Sequence, residues 1–163
     1  MRLFHFKKKK TVVEPNALFS GKIDHSGISV PDIDQAVEFF TEVLHFEVIK
    51  RIPQMRGPVS GMLTRGMGVY ENTKMVGSAF LRYGGDEIEL VQWSNEKQQT
   101  RIPNPADVNS AHLAISVSDI KEAMEYFRSV PGVTVRDYIP AGFFYISTPW
   151  GYEIQIMSKD IKK

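Results

Sequence analysis

His-Ser-Gly-Ile-Ser-Val at residues 25–30 returns as His-Leu-Ala-Ile-Ser-Val at 112–117. The register then holds without a gap. Asp32, Ile33, Ala36, Glu38, Phe39 and Phe40 are answered 87 positions later by Asp119, Ile120, Ala123, Glu125, Tyr126 and Phe127. A second matched pair closes each copy, Glu87-Ile88-Glu89-Leu90 and Glu153-Ile154-Gln155-Ile156. An internal repeat of this length sets the architecture before any local reading does, because each copy is one structural unit written twice.

Working outward from the first copy, residues 22–31 alternate as a strand. Ile23, His25, Gly27 and Ser29 fall on one side, and Asp24, Ser26, Ile28 and Val30 on the other. Pro31-Asp32 breaks the strand, and Asp32 or Asp34 is placed to cap a helix. Ile33, Ala36, Val37, Phe40 and Leu44 keep helical spacing and predict one apolar face. His45 stands where that helix should end, a position often filled by Gly. A strand resumes at Phe46–Ile49. Residues 51–75 carry Pro53, Gly57, Pro58, Gly61, Gly66 and Gly68, and read as a mobile loop that makes the first half longer than the second. Arg51, Arg56 and Arg65 within it could reach an anionic group. Strands follow at 76–83 and 87–93, joined by a hairpin turn at Gly84-Gly85-Asp86.

Residues 94–110 are polar, with Pro103 and Pro105, and read as the connector between halves. The second half repeats the order: strand 111–117, helix 119–129, a turn at Pro131-Gly132, then strands near 133–139, 142–147 and 152–158. Each half is therefore βαβββ. The expected organisation is an N-terminal extension over 1–21, module 1 over about 22–94, a linker over 95–110, module 2 over about 111–158 and a tail at 159–163.

Bulk composition narrows the class. A chain of 163 residues is long enough to bury roughly 70% of its unfolded surface without a staple. There is no cysteine, so no disulfide, thiolate metal site or cysteine nucleophile. Lys plus Arg (20) nearly balances Asp plus Glu (19), which argues against a nucleic-acid or membrane footprint. No apolar run approaches the roughly 20 residues that span a bilayer. The basic Lys7–Lys10 cluster follows Met-Arg-Leu-Phe-His-Phe instead of preceding a long apolar stretch, the wrong order for a secretory signal. A cytoplasmic protein with a small-molecule substrate is the default expectation.

The repeat also places chemistry. His25 and His112 hold the same position in the first strand of each half, and Glu89 and Gln155 the same position in the last. A pseudo-twofold would bring two imidazoles, a carboxylate and an amide carbonyl toward one axis. Such a donor set suits nickel, zinc, cobalt, manganese or iron(II). Glu153, two residues from Gln155 on the same strand face, stands as a fallback ligand.

With these residues in place, the chain over 22–158 resembles the vicinal oxygen chelate superfamily of glyoxalase I, methylmalonyl-CoA epimerase, extradiol dioxygenases, fosfomycin-resistance enzymes and bleomycin-binding proteins. The resemblance rests on a leading strand with His before an Asp-Ile-capped helix and on the Glu-Ile-Glu-Leu strand. Pro-Trp-Gly-Tyr-Glu-Ile-Gln-Ile at 149–156 stands where the family closes with Asp-Pro-Asp-Gly. It implies an α+β fold of two βαβββ modules whose mixed sheets curl around a central metal cavity, with ligands at His25, Glu89, His112 and Gln155.

Gln155 departs from the Glu usual at the closing position. One carboxylate leaves a divalent ion formally more positive than two would, which strengthens its pull on a carbonyl. It also removes one proton-abstracting group, so Glu89 would combine ligation with proton transfer, or Glu153 or Glu87 would serve as base. The first expectation is accordingly an isomerase, epimerase or lyase that moves a proton next to a metal-bound carbonyl. An iron(II) extradiol-type dioxygenase is the alternative, with Tyr145 as a hydrogen-bonding residue. A non-catalytic drug- or ligand-binding module is the third. The halves could pair within one chain or exchange across a homodimer.

Overall fold

The computed structural model describes residues 20–56 and 58–160. Most of the N-terminal extension and the last three residues of the tail lie outside them. Among the described residues eight strands form two separate open sheets of four strands each. The first contains β1 (Ser26–Val30), β2 (Glu47–Pro53), β3 (Lys74–Tyr83) and β4 (Asp86–Ser94) in the order β1-β4-β3-β2. The second contains β5 (Leu113–Val117), β6 (Thr134–Val135), β7 (Phe143–Ser147) and β8 (Glu153–Ser158) in the order β5-β8-β7-β6. In both, the leading strand runs parallel to the closing strand and the remaining pairs are antiparallel. The repeat read from sequence is thus a repeat of topology.

Register carries the repeat further. Gly27 pairs with Glu89 and Ala114 with Gln155, so Glu89 and Gln155 stand at equivalent places. Phe80 faces Glu89 from β3 as Tyr145 faces Gln155 from β7. Alternation then puts His25, Gly27, Ser29, Phe80 and Glu89 on one face of the first sheet, and His112, Ala114, Tyr145, Glu153 and Gln155 on one face of the second.

The opposite faces hold the core. Ile28, Val30, Leu81, Ile88 and Leu90 of the first sheet and Ile115, Phe144, Ile146, Ile154 and Ile156 of the second are buried in one continuous cluster. Helices cover it. α1 (Ile33–Glu38) begins at Asp32, whose side chain accepts from Gln35 N at 2.8 Å. Asp119 caps α3 (Ile120–Ser129) in the same way, accepting from Lys121 N and Glu122 N. Those backbone donors hold the Asp119 carboxyl below its ordinary range. Asp34, the other capping candidate, instead takes an ion pair from Arg51.

α1 runs on into a π-helical turn over Phe39–Val43, and His45 then takes φ 59°, the left-handed C-terminal conformation usually left to Gly. The widened turn keeps Phe39 and Phe40 buried together. Phe39 meets Trp150 edge-on at 5.4 Å, and the Tyr126 hydroxyl donates to Val43 O at 3.0 Å. The modules are therefore joined on their helical side.

Two expectations change. The stretch 51–75 is not a loop throughout: β2 runs to Pro53, and α2 spans Pro58–Gly66. Proline is favoured at the start of a helix, where its missing N–H costs nothing, and glycine at the end. Gly68 closes α2 at φ 67°. The strand expected near 133–139 shrinks to Thr134–Val135, continued only by the Arg136 N to Tyr145 O bond and an Ile139–Phe143 bridge.

Candidate functional site

Each sheet presents a half-site. In the first, His25 lies just before β1 and Glu89 in the middle of β4, with His25 Nε2 at 3.6 Å from Glu89 Oε2. The other ring nitrogen, Nδ1, is 3.0 Å from Asp24 Oδ2. That contact orients the ring, with Nδ1 toward Asp24 and Nε2 toward Glu89. A histidine oriented by a carboxylate behind it is the usual second layer of a metal ligand. The His25 hydrogen bond and the Lys22 charge hold the Asp24 carboxyl below its ordinary range. Phe80 packs edge-on against the His25 ring at 5.3 Å and 79°.

The second sheet repeats this almost to the degree. Tyr145 packs edge-on against His112 at 5.3 Å and 80°, and Gln155 shares their face by register. The two histidines therefore have matched aromatic supports. What differs is the oxygen donor, a carboxylate in one half and an amide in the other, and the phenol that Tyr145 brings where Phe80 has none.

Carboxylates near the site sort by their partners. Glu87 accepts from Arg82 Nε at 3.2 Å and Nη2 at 2.8 Å. Glu153, expected as a catalytic or fallback carboxylate, is occupied: Arg136 Nη2 donates to Oε1 at 2.6 Å, Arg136 Nε to Oε2 at 3.2 Å, and Ser147 Oγ to Oε1 at 2.6 Å. A buried carboxylate with both oxygens held serves the register of β6, β7 and β8 and is not free to take a proton. Glu89 alone of the three has no arginine partner among the described residues.

Burial by itself raises the affinity of Glu153 for a proton. The Arg136 and Ser147 hydrogen bonds outweigh it, aided by the charges of Arg136 and His112, and the net shift is downward. The sign gives a prediction. A carboxyl whose folded pKa is depressed adds stability above the unfolded value, about 4.3 for Glu, and loses it as pH falls through the folded value. Melting temperature should fall more steeply below about pH 4.5 in the wild type than in Glu153→Gln. Parallel profiles would remove Glu153 as a stabilising ion.

Among the described residues no group of three His, Cys, Asp or Glu side chains gathers into a cluster able to hold a metal ion. The structure brings His25 and Glu89 together and sets His112 with Gln155, but leaves the two pairs apart. Each pair offers one imidazole and one oxygen, the donor types expected. His45 is elsewhere, in a hollow on the helical side with Tyr83, Ile115 and Tyr126. Arg56 and Arg65 line a 610 Å³ cavity beside Thr64, Thr73 and Lys74, at the far end of β3 from Phe80. Of the aromatics, Phe144 is core and Tyr70 and Tyr138 are exposed.

The packing of the linker is the feature that carries no signal in the sequence. Residues 98–103 fold back over the seam between modules and share a hollow with Trp93, Trp150 and Glu153. Ile102 sits so close to Gly151, at φ 87°, that a Cβ there would come within 2.4 Å of its Cδ1. Among the described residues no helix is long and apolar enough to cross a membrane.

A model of the family described as the Glyoxalase/Bleomycin resistance protein/Dioxygenase superfamily matches residues 22–156. The 2-epi-5-epi-valiolone epimerase of Actinomyces sp. is 35% identical over 146 residues, covering 83% of this chain and 78% of that protein. Among solved structures, a glyoxalase family protein from Bacillus cereus is similar at TM-score 0.68 and 18% identity, covering 85% of this chain and 93% of that one. The trypanothione-dependent glyoxalase I of Leishmania major is similar at TM-score 0.61 and 22% identity, covering 86% and 88%.

Proposed function

The chain belongs to the glyoxalase/bleomycin resistance protein/dioxygenase superfamily, and we propose that within it the protein is an epimerase acting on a small, oxygen-rich ketone. His25, Glu89, His112 and Gln155 would together hold one divalent ion. The similarity to a valiolone epimerase supports the reaction class. The observation that carries the residue assignment is Glu89, the carboxylate that faces His25 and has no arginine partner among the described residues.

A bound divalent ion would polarise the ketone and stabilise the negative charge that develops on its oxygen. The chain supplies the rest. Glu89 takes the proton from one face of the carbon beside the carbonyl, and inversion is completed when solvent supplies a proton to the opposite face. Gln155, at the equivalent place in the other half, has no carboxyl with which to share that work. Phe80 and Tyr145 hold the two imidazole rings at matched angles. Asp24 holds the His25 ring by Nδ1 and so turns Nε2 toward Glu89.

The quartet must close on a single ion, either within one chain or by exchange of halves across a homodimer. The dioxygenase alternative keeps Tyr145, which packs on His112, but takes no further imidazole from His45, which stands in the hollow on the helical side.

Incubation with 2-epi-5-epi-valiolone in heavy water tests the reaction. Proton abstraction by Glu89 places deuterium at the epimerised carbon of the product. Epimerised product that keeps its original hydrogen throughout would contradict a carboxylate base, and no conversion at all would remove this substrate.

A further inference from the structure

The chain has two tryptophans, and both line one hollow of 310 Å³ at the seam between the modules. Trp93 arrives at the end of β4 and Trp150 from the turn before β8. Ser29 of β1 and Gln98, Gln99 and Arg101 of the linker supply polar parts of its wall, and Val30, Ile102 and Pro103 apolar ones. We propose that this hollow is the binding site for an uncharged cyclic polyol. This names the substrate class of the proposed epimerase and in that respect rests on it.

Three observations point to that ligand. First, the lining has its charges cancelled: Arg101 pairs with Asp107 at 3.0 Å and Glu153 with Arg136 at 2.6 Å. A phosphate or carboxylate would find no unpaired cation there, in contrast to the cavity around Arg56, Arg65 and Lys74. Second, the wall joins indoles to amide and hydroxyl side chains. A polyol ring has apolar C–H faces for the indoles and rim hydroxyls for Gln98, Gln99 and Ser29, whereas a plain hydrocarbon would strand those polar groups. Third, the volume lies at the small end of ligand pockets, which run from about 300 to 1,000 Å³. It suits one small ring, not an extended cofactor.

The hollow neighbours the quartet along three strands, with none of the four residues in its lining. Ser29 shares the face of His25, Trp93 that of Glu89, and Glu153 that of Gln155. Glu153 is two residues from Gln155, about 7 Å along β8, and Trp93 is four from Glu89, about 13 Å along β4. Trp150-Gly151 is also where this chain departs from the family's closing turn. The linker packs onto that departure, with Ile102 over Gly151 and Asp107 accepting from Asn104 N at 3.0 Å. The linker thereby walls the hollow as well as joining the modules.

Intrinsic tryptophan fluorescence reads this hollow directly, because no indole lies elsewhere. Full-length protein stripped of metal by a chelator is titrated with myo-inositol, with open-chain sorbitol as comparator. A saturable change with inositol and none with sorbitol at equal concentration is expected. Trp93→Phe and Gln98→Ala should each weaken the response about fivefold or more with an unchanged melting temperature. No saturable response in the wild type, an equal response to sorbitol, or undiminished affinity in both variants would overturn the assignment.

With metal and the ketone present, Trp93→Phe should raise KM about fivefold while kcat changes less than about threefold. An unchanged KM would separate the hollow from the substrate. Inositol binding without any epimerisation would instead count against the proposed reaction and leave the binding site standing.

Discussion

Glu89→Gln is expected to lower epimerase turnover by about 10²- to 10⁴-fold, the range seen when a positioned proton-transfer group is removed. The substitution keeps volume and one carbonyl oxygen, so the strand and the contact with His25 should survive, and the melting temperature with them. What it removes is the carboxyl that can accept a proton, together with the negative charge beside Nε2. Neither neighbour can replace it, because Glu87 is held by Arg82 and Glu153 by Arg136 and Ser147. Steady-state kinetics on wild type and variant decide it. A loss below about tenfold would show that another group carries the proton.

The largest effect on stability is expected at Phe40. Its side chain is fully buried and sits edge-on to Phe46 at 5.2 Å and to Phe39 at 6.0 Å, within the cluster that both modules share. Phe40→Ala removes an aromatic ring from a closed site and should cost about 3–5 kcal/mol. For a domain of this size that is a fall in melting temperature on the order of 10 °C. Because the core is continuous, the two modules should melt in one transition, so calorimetry on the variant should show a single displaced peak. A cost under about 1 kcal/mol would mean that the site collapses without a cavity.

The repeat made the architecture legible. Matching His25 to His112 and Glu89 to Gln155 places the same residues that the parallel pairs β1–β4 and β5–β8 bring to equivalent register. The Asp32 and Asp119 caps are likewise readable, since a capping oxygen and an apolar helical stripe are both local signals. α2 hides behind Pro58 and Gly66, which read singly as breakers, whereas their order, proline first and glycine last, marks the two ends of a helix.

The pairing of Glu153 with Arg136 could not be read at all. Seventeen residues separate them, and only the antiparallel return through β6 and β7 brings the guanidinium to the carboxylate. Nor did the linker's polar composition announce that Ile102 would seat on Gly151. Contacts of that kind depend on how the modules are placed, which no periodicity encodes.

The central claim is that His25, Glu89, His112 and Gln155 act on one divalent ion. Metal content per chain, measured on purified protein after exposure to nickel, cobalt, zinc, manganese or iron(II) and removal of excess, tests it most directly when read beside the mass of the assembly. One ion for each set of four residues is expected, with occupancy lowered by Gln155→Ala more than by Glu153→Ala. Protein that takes up no ion under any of these conditions, or that loses it more readily with Glu153→Ala, would contradict the account.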